Sequence, residues 1–342
     1  MKILQIISEA PPIKSGFARC TQYLSKWLEK MGCEVDVLSV KDLRHIMAGE
    51  VKLILDARKI AREMLSNKYD IINIHGHTPT FSDVAFMLGK LTRRPLVYTL
   101  HCLVNFYFYP FSRLYNIFIN NFLKFSDAVI VSSKSYLEYV KACKKKFVIP
   151  WAVDSELFQG ESMKHDGYRV LFVGQMRPYK GLNILLQAMK GLDAELHVVG
   201  DGPDIGSYEE LAKKLELDKV KFYRSVSDAE LRRFYLSSDV LVLPSVSENE
   251  AFGLVTLEAA ASSCAVIASD LPGVRDVVKD FGLLVKPNNV NSLRQALEML
   301  NDRSIREAYG EKGKKAAKRY RWEDVAHEYV KAYESVIEGK DE

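Results

Sequence analysis

Short apolar runs alternate with longer amphipathic stretches along the whole of this 342-residue chain, and they do so in two successive series. A strand buried on both faces reads as a near-continuous apolar run, so alternation of this kind belongs to parallel sheets joined by helical crossovers. The first series is KILQII, CEVDVLSV, DIINIH, PLVYTL and AVIVSS, with stretches such as Arg19 to Met31 and Phe81 to Thr92 reading as helices. The second is RVLFVG, AELHVVG, VKFY, VLVLP, CAVIAS and GLLV. The fold class expected is α/β with two doubly wound domains, and the length exceeds what one core usually serves. The segment Phe147 to Tyr168, punctuated by Pro150, Gly160 and Gly167, reads as the interdomain connection. A last helical pattern runs from Arg321 to Ile337 through Trp322, Val325, Tyr329 and Tyr333.

Several function classes are disfavoured by what the chain lacks. Lys and Arg number 48 against 44 Asp and Glu, a net charge of +4 with the signs interleaved, so nucleic acid is not the expected partner. Neither domain opens with Gly-x-Gly-x-x-Gly, which argues against a nicotinamide-dependent dehydrogenase. The five cysteines are scattered without a Cys-x-x-Cys pair, so a reducing cytoplasm is expected and neither a disulfide framework nor a zinc site. Met1 to Ile7 is too short for a signal segment, and no apolar stretch reaches the roughly 18 residues of a membrane span.

The chemistry is concentrated where apolar runs give way to loops. In Leu241 to Ala260 a strand leads through a polar loop into a helix opening near Gly253, with Glu250 before the helix and Glu258 inside it. Backbone N–H groups of Gly253, Leu254 and Val255, with the positive end of the helix dipole, suit a diphosphate. Glu258 can accept from vicinal ribose hydroxyls and Glu250 from hydroxyls of a transferred sugar. The plainer alternative makes Glu250 a helix-terminal anion and Glu258 part of a solvated face. In Val173 to Met189 a second strand, loop and helix carry Gly174, Arg177 and Lys180, and the two cations suit a diphosphate whose charge grows as a bond to it breaks. Surface cations would look the same, but these lie at the carboxyl end of their domain's first strand, where such sheets bind ligands.

Weaker signals surround these two. VGDGP places Gly200 in a turn against the nucleotide, or in a turn for its own sake. Gly16 stands between the first strand and the first helix, where its backbone approaches phosphate or acceptor. His101 follows a strand and could hydrogen-bond a donor sugar, although a lone histidine is commonly structural. His75 and His77 form a His-x-His pair that no carboxylate or cysteine nearby completes as a metal site, so cleft lining or acceptor contact is the reading. The aromatic stretch Phe106 to Phe122 reads as helix packing, with a surface for a lipid-linked acceptor or a membrane face as the alternative, helped by Lys144, Lys145 and Lys146.

Taken together these segments resemble the family 4 retaining glycosyltransferases of the GT-B fold, over essentially the whole chain. The resemblance rests on Glu-x7-Glu, met by Glu250 and Glu258 around the AFGL segment, and on Gly174-x-x-Arg177-x-x-Lys180. It implies two Rossmann-like domains facing across a cleft: an acceptor-side domain of residues 1–153 to which a terminal helix, 322–342, crosses back, and a nucleotide-sugar domain of residues 154–321. It also implies that Glu250 and His101 contact the donor sugar, Glu258 the ribose, and Arg177 and Lys180 the diphosphate. Three departures stand out. Pro150-Trp151-Ala152-Val153-Asp154 replaces Pro-Asn-Gly-Val-Asp, Ser15-Gly16 replaces two adjacent glycines, and Leu271-Pro272-Gly273-Val274-Arg275-Asp276 replaces Gly-Gly-x-Pro-Glu.

The expected activity is transfer of a hexose from a nucleotide-diphosphate sugar, as UDP-sugar or GDP-sugar, to a sugar or lipid-linked acceptor, by a front-face mechanism with retention. No cofactor is expected and no metal, because no Asp-x-Asp sequence occurs. The location implied is cytoplasmic, with peripheral contact at the inner membrane face as an option. A nucleotide-sugar epimerase, a sugar phosphorylase and a non-catalytic nucleotide-sugar-binding subunit are the alternatives, the last disfavoured by the presence of all four charged donor-site residues.

Overall fold

The computed structural model describes all residues except 11–14, 49–50, 67–68, 77, 79, 104–108, 141–142, 161–162, 164–165 and 342, with 47–48, 51–53, 66, 109–113 and 340–341 as backbone alone. His77, the tip of the first loop and the start of the aromatic stretch therefore lie outside the described residues. Two compact units share the chain: unit 1 is Met1–Trp151 with Trp322–Glu342, and unit 2 is Ala152–Arg321.

Unit 1 holds a parallel sheet of β1 (Lys2–Ile7), β2 (Glu34–Ser39), β5 (Ile71–Gly76), β6 (Leu96–Leu100), β7 (Ala128–Val131) and β8 (Lys145–Val148), in the order β2-β1-β5-β6-β7-β8. Strands β3 (His45–Ala48) and β4 (Val51–Ile54) form a separate antiparallel pair. The first helix, Gly16–Lys30, is started by Ser15, whose side chain accepts from the Ala18 N–H at 3.0 Å. The C-terminal helix Trp322–Asp341 packs within this unit, where Trp322 stacks on Tyr23 of the first helix with ring centroids 5.5 Å apart.

Unit 2 holds β9 (Arg169–Val173), β10 (Glu195–Val199), β11 (Val220–Tyr223), β12 (Val240–Leu243), β13 (Ala265–Ser269) and β14 (Leu283–Val285), all parallel, in the order β11-β10-β9-β12-β13-β14. Phe172, Leu185, Leu196, Val242, Ile267 and Leu297 lie in its core. From β9 the chain winds first toward β10 and β11 and later returns to the other side at β12. The strand order therefore reverses between β9 and β12, the topological switch point at which doubly wound sheets take ligands.

The structure adds two features that the apolar pattern did not mark. One is the β3–β4 pair. The other is β8, whose lysines read as a charged cluster; it is one of the sheet's two edge strands, where Lys side chains discourage pairing with other chains. The cluster is also engaged rather than free: Lys145 donates to the Ser335 carbonyl, Lys146 to the Val140 carbonyl, and Lys144 pairs with Asp127 at 3.5 Å.

Candidate functional site

In unit 2 the loops after β9 and β12 are pressed together by a glycine. Gly181 has φ +69, and a Cβ on it would stand 2.0 Å from the Pro244 carbonyl oxygen. The Val246 N–H donates to the Tyr179 carbonyl at 2.8 Å across the same junction. This approach sets the Lys180 ammonium 2.6 Å from Glu250 Oε2, which also accepts from the Ser245 hydroxyl at 3.3 Å. The pair is largely withdrawn from water, with side chains 16% and 12% exposed. Burial by itself would lower the Lys180 pKa, but the Glu250 carboxylate and the Tyr179 hydroxyl outweigh it and hold the ammonium above its ordinary value. Arg177 opens the 3-10 turn Pro178–Lys180, half-buried, with Nε donating to Gln175 Oε1 at 3.2 Å.

The helix after β12, Leu254–Ala261, begins directly behind Gly253, whose φ of +76 explains the glycine. Leu254 and Val255 thus supply first-turn N–H groups, donors that an α-helix leaves without a partner inside the helix. Glu258 is not part of a solvated face: it is 8% exposed, and the fully buried Tyr235 donates its hydroxyl to Oε2 at 2.7 Å. Gly200 has a structural account, since at φ +137 a Cβ would lie 2.0 Å from the Gly174 carbonyl oxygen. The turn after β10 is thereby packed on the loop after β9, and Met176 N–H donates to the Asp201 carbonyl at 2.9 Å to hold it there.

Unit 1 carries Gly16 and His101. Gly16 is the first residue of its helix, and the adjacent Phe17 meets His101 edge-on at 4.7 Å between ring centroids. His101 Nε2 lies 2.9 Å from Nδ1 of the buried His75, and Trp151 lies parallel to the His101 ring at 5.1 Å. Trp151 is one of the residues that departs from the family pattern. Its neighbour Ala152 is absent from the residues with positive φ, so the backbone there has no need of the glycine that the pattern carries.

Of the residues singled out from the sequence, Arg177, Lys180, Glu250, Glu258, Gly174, Gly200, Gly253, Leu254 and Val255 belong to unit 2, with Lys180 touching Glu250 and Gly174 touching Gly200. His101 and Gly16 belong to unit 1. Sequence reasoning missed Tyr235 and Ser245, the contact of Trp151 with His101, and the polar partners of His75. Asn73 inside the apolar run IINIH was a signal for the last. Among the described residues no group of three His, Cys, Asp or Glu side chains is placed to hold a metal ion.

Comparison with known proteins bears on the same two units. Residues 153–316 match Glycosyl transferases group 1, and residues 14–157 match Glycosyltransferase Family 4. An uncharacterised glycosyltransferase of Methanocaldococcus jannaschii is 29% identical over 84% of this chain and 81% of its own. The structure is similar to sucrose-phosphate synthase from Thermosynechococcus elongatus, with TM-score 0.82, 22% identity and 99% of each chain covered. It is also similar to HepE of Anabaena in complex with UDP and glucose, with TM-score 0.78, 19% identity, and 98% and 100% of the two chains covered.

Proposed function

We propose that this chain, a glycosyltransferase of the GT-B fold, transfers a hexose from a nucleotide-diphosphate sugar to a sugar or lipid-linked acceptor as a family 4 enzyme, retaining anomeric configuration without a metal ion. The observation that carries the reading is the Lys180–Glu250 pair in the joined loops after β9 and β12, beside the first turn of Leu254–Ala261. That place offers cations and backbone N–H groups for a diphosphate and a carboxylate for a sugar hydroxyl. A lysine ammonium has three hydrogens, so Lys180 can keep Glu250 and still donate to phosphate.

Transfer then proceeds as the bond from the anomeric carbon to the diphosphate oxygen lengthens. Arg177, Lys180 and the first-turn N–H groups offset the charge that collects on the diphosphate, an arrangement that lowers barriers because the donors are already in place. Glu250 accepts from the hexose hydroxyls, and Glu258, oriented by Tyr235, from the ribose. His101 takes a further hydroxyl of the hexose. The acceptor oxygen attacks from the face that the diphosphate leaves, and the departing phosphate takes its proton. HepE, with UDP and glucose bound on the same fold, supports the donor class.

The experiment is incubation with UDP-, GDP- and ADP-hexoses and simple glycoside acceptors in EDTA, reading nucleoside diphosphate release and the product's anomeric configuration by NMR. Release with retention is expected. Inversion, or turnover only with added metal, contradicts the mechanism, and epimerised donor without transfer assigns the chain to a nucleotide-sugar epimerase.

Peripheral membrane contact belongs to the same proposal, at the cytoplasmic side. No helix among the described residues is long and apolar enough to cross a membrane. The helices Phe81–Leu91 and Tyr109–Leu123 expose Met87, Leu91, Leu114, Ile117 and Phe118, and Phe125 follows them. Lys90, Arg93 and Lys124 are exposed beside these, while Asp83, the one acid on either helix, is taken by the Tyr115 hydroxyl at 2.8 Å. Apolar surface with cations, whose one acid on these helices is already bonded, suits an anionic bilayer. Sedimentation with anionic vesicles and not with neutral ones is expected, and equal recovery with both removes this contact.

A further inference from the structure

Unit 1 buries a row of polar side chains inside otherwise apolar strands: Gln5 on β1, Asn73 and His75 on β5, and Thr99 on β6, met by Tyr333 from the C-terminal helix. Buried polar groups are costly unless bonded, and a connected set of them fixes one arrangement of protons. The Thr99 hydroxyl donates to Asn73 Oδ1 at 2.9 Å, which turns the Asn73 amide nitrogen toward Tyr333 Oη at 2.8 Å and Gln5 Oε1 at 3.2 Å. Gln5 Nε2 donates to the same Tyr333 oxygen at 3.3 Å. Turning the Gln5 amide over would set its NH2 against that of Asn73, so the oxygen faces Asn73 and His75.

The proton count follows along the row. Gln5 Oε1 can only accept, and it lies in short contact with His75 Nε2, which therefore donates. Asn73 Nδ2 also stands 3.0 Å from His75 Nε2, but both nitrogens direct their hydrogens at Gln5 Oε1 and Tyr333. Burial holds the His75 pKa down at about 3, so its ring carries one proton and Nδ1 is bare. The atom 2.9 Å from that bare nitrogen is His101 Nε2, which must supply the hydrogen.

We propose that His75 is a positioning residue for the transfer: it fixes His101 as the Nε2-protonated imidazole and leaves Nδ1 as the nitrogen that accepts from a sugar hydroxyl. Trp151, parallel to the His101 ring within 11°, and Phe17, edge-on to it, hold the ring plane while His75 sets the proton. Without the buried row, the two neutral tautomers of His101 would exchange, and one of them would offer an N–H where the hydroxyl needs an acceptor. The inference rests on the role given to His101 under Proposed function.

The test is a long-range proton–nitrogen NMR spectrum of the full chain, 15N-labelled at histidine, at neutral pH without substrate. His101 protonated at Nε2 and bare at Nδ1 is expected; a His101 protonated at Nδ1, or averaged between the two, overturns the inference. Two variants extend it to turnover. His75→Asn places an amide oxygen near the former Nδ1 and keeps an acceptor for His101, whereas His75→Gln extends its polar end toward Gln5 and gives that acceptor up. His75→Gln is expected to lower kcat about tenfold, the worth of one hydrogen bond, at little changed donor KM, with most of the rate kept in His75→Asn. Equal losses in both variants would make His75 merely structural and overturn the proposal. An Nε2-protonated His101 in an enzyme that tolerates His101→Ala would instead remove the role of His101 itself, and the inference with it.

Discussion

In unit 2 the Lys180–Glu250 pair is charged and stands in the loops at the carboxyl ends of β9 and β12, whereas the buried polar row of unit 1, Gln5, Asn73, His75 and Thr99, stands within β1, β5 and β6. The sheets differ in the same way: unit 2 winds outward from its first strand on both sides, β11-β10-β9 and then β12-β13-β14, while unit 1 places only β2 on the far side of β1. The contrast teaches that one enzyme can hold its polar chemistry by two means. A loop site at a helix start draws on ion pairing and backbone N–H groups, and a site inside a sheet draws on amides, phenols and one bare imidazole. On the proposed reading the first meets charge on a substrate and the second fixes protons.

The largest effect should come from breaking the charged site. Lys180→Ala is expected to lower turnover by roughly two to three orders of magnitude, the usual worth of a donor to a charge that develops in the transition state. Steady-state kinetics with a chromatographic assay of nucleoside diphosphate release checks this, and a loss under tenfold would move the diphosphate elsewhere.

Next is a difference in pH response between the units. The folded pKa of His75, about 3, lies below its unfolded value, so between these the unfolded chain binds the extra proton and stability falls as the medium is acidified from about pH 6.5. The slope is at most about 1.4 kcal/mol per pH unit, or about 2 kcal/mol by pH 5. Lys180 has the opposite sense: its folded pKa is raised, so its contribution is present below the unfolded value and is lost at alkaline pH. Hydrogen exchange by mass spectrometry should show unit 1 loosening first in acid, and His75→Asn should flatten that response. Acid loosening confined to unit 2 would reverse the comparison.

Smaller still is Tyr235→Phe, which deletes the hydroxyl on Glu258 but keeps the ring against Phe158. A loss of about 1.5 kcal/mol in denaturant midpoint analysis is expected, the range for a hydrogen bond to a charged group. The smallest is Lys144→Ala, whose pair with Asp127 is 72% exposed on the lysine side and should contribute under about 0.5 kcal/mol.

These effects also separate what was legible in the sequence from what was not. The loop site was readable because its residues interrupt the apolar pattern where a strand ends, and Arg177, Lys180, Glu250 and Glu258 stand at fixed spacings. Their environments were not readable. The partner of Glu258, Tyr235, comes from the helix Asp228–Ser237 ahead of β12, and the need for glycine at 200 comes from the carbonyl of Gly174. The row in unit 1 was hidden because Gln5, Asn73 and Thr99 sit one per strand inside apolar runs and meet only across the sheet. Strand β8 was hidden for the reverse reason, since an edge strand tolerates charge that periodicity assigns to a loop.

The central claim is that Arg177, Lys180 and the first turn of Leu254–Ala261 take the donor diphosphate without a metal ion. Calorimetric titration with UDP, GDP and ADP in EDTA, on the full chain and on Arg177→Ala/Lys180→Ala, tests it most directly. The account predicts saturable binding of at least one nucleoside diphosphate by the unaltered chain and its loss by roughly a hundredfold or more in the double variant. Equal binding by both proteins, or binding that appears only when magnesium is restored, would contradict it.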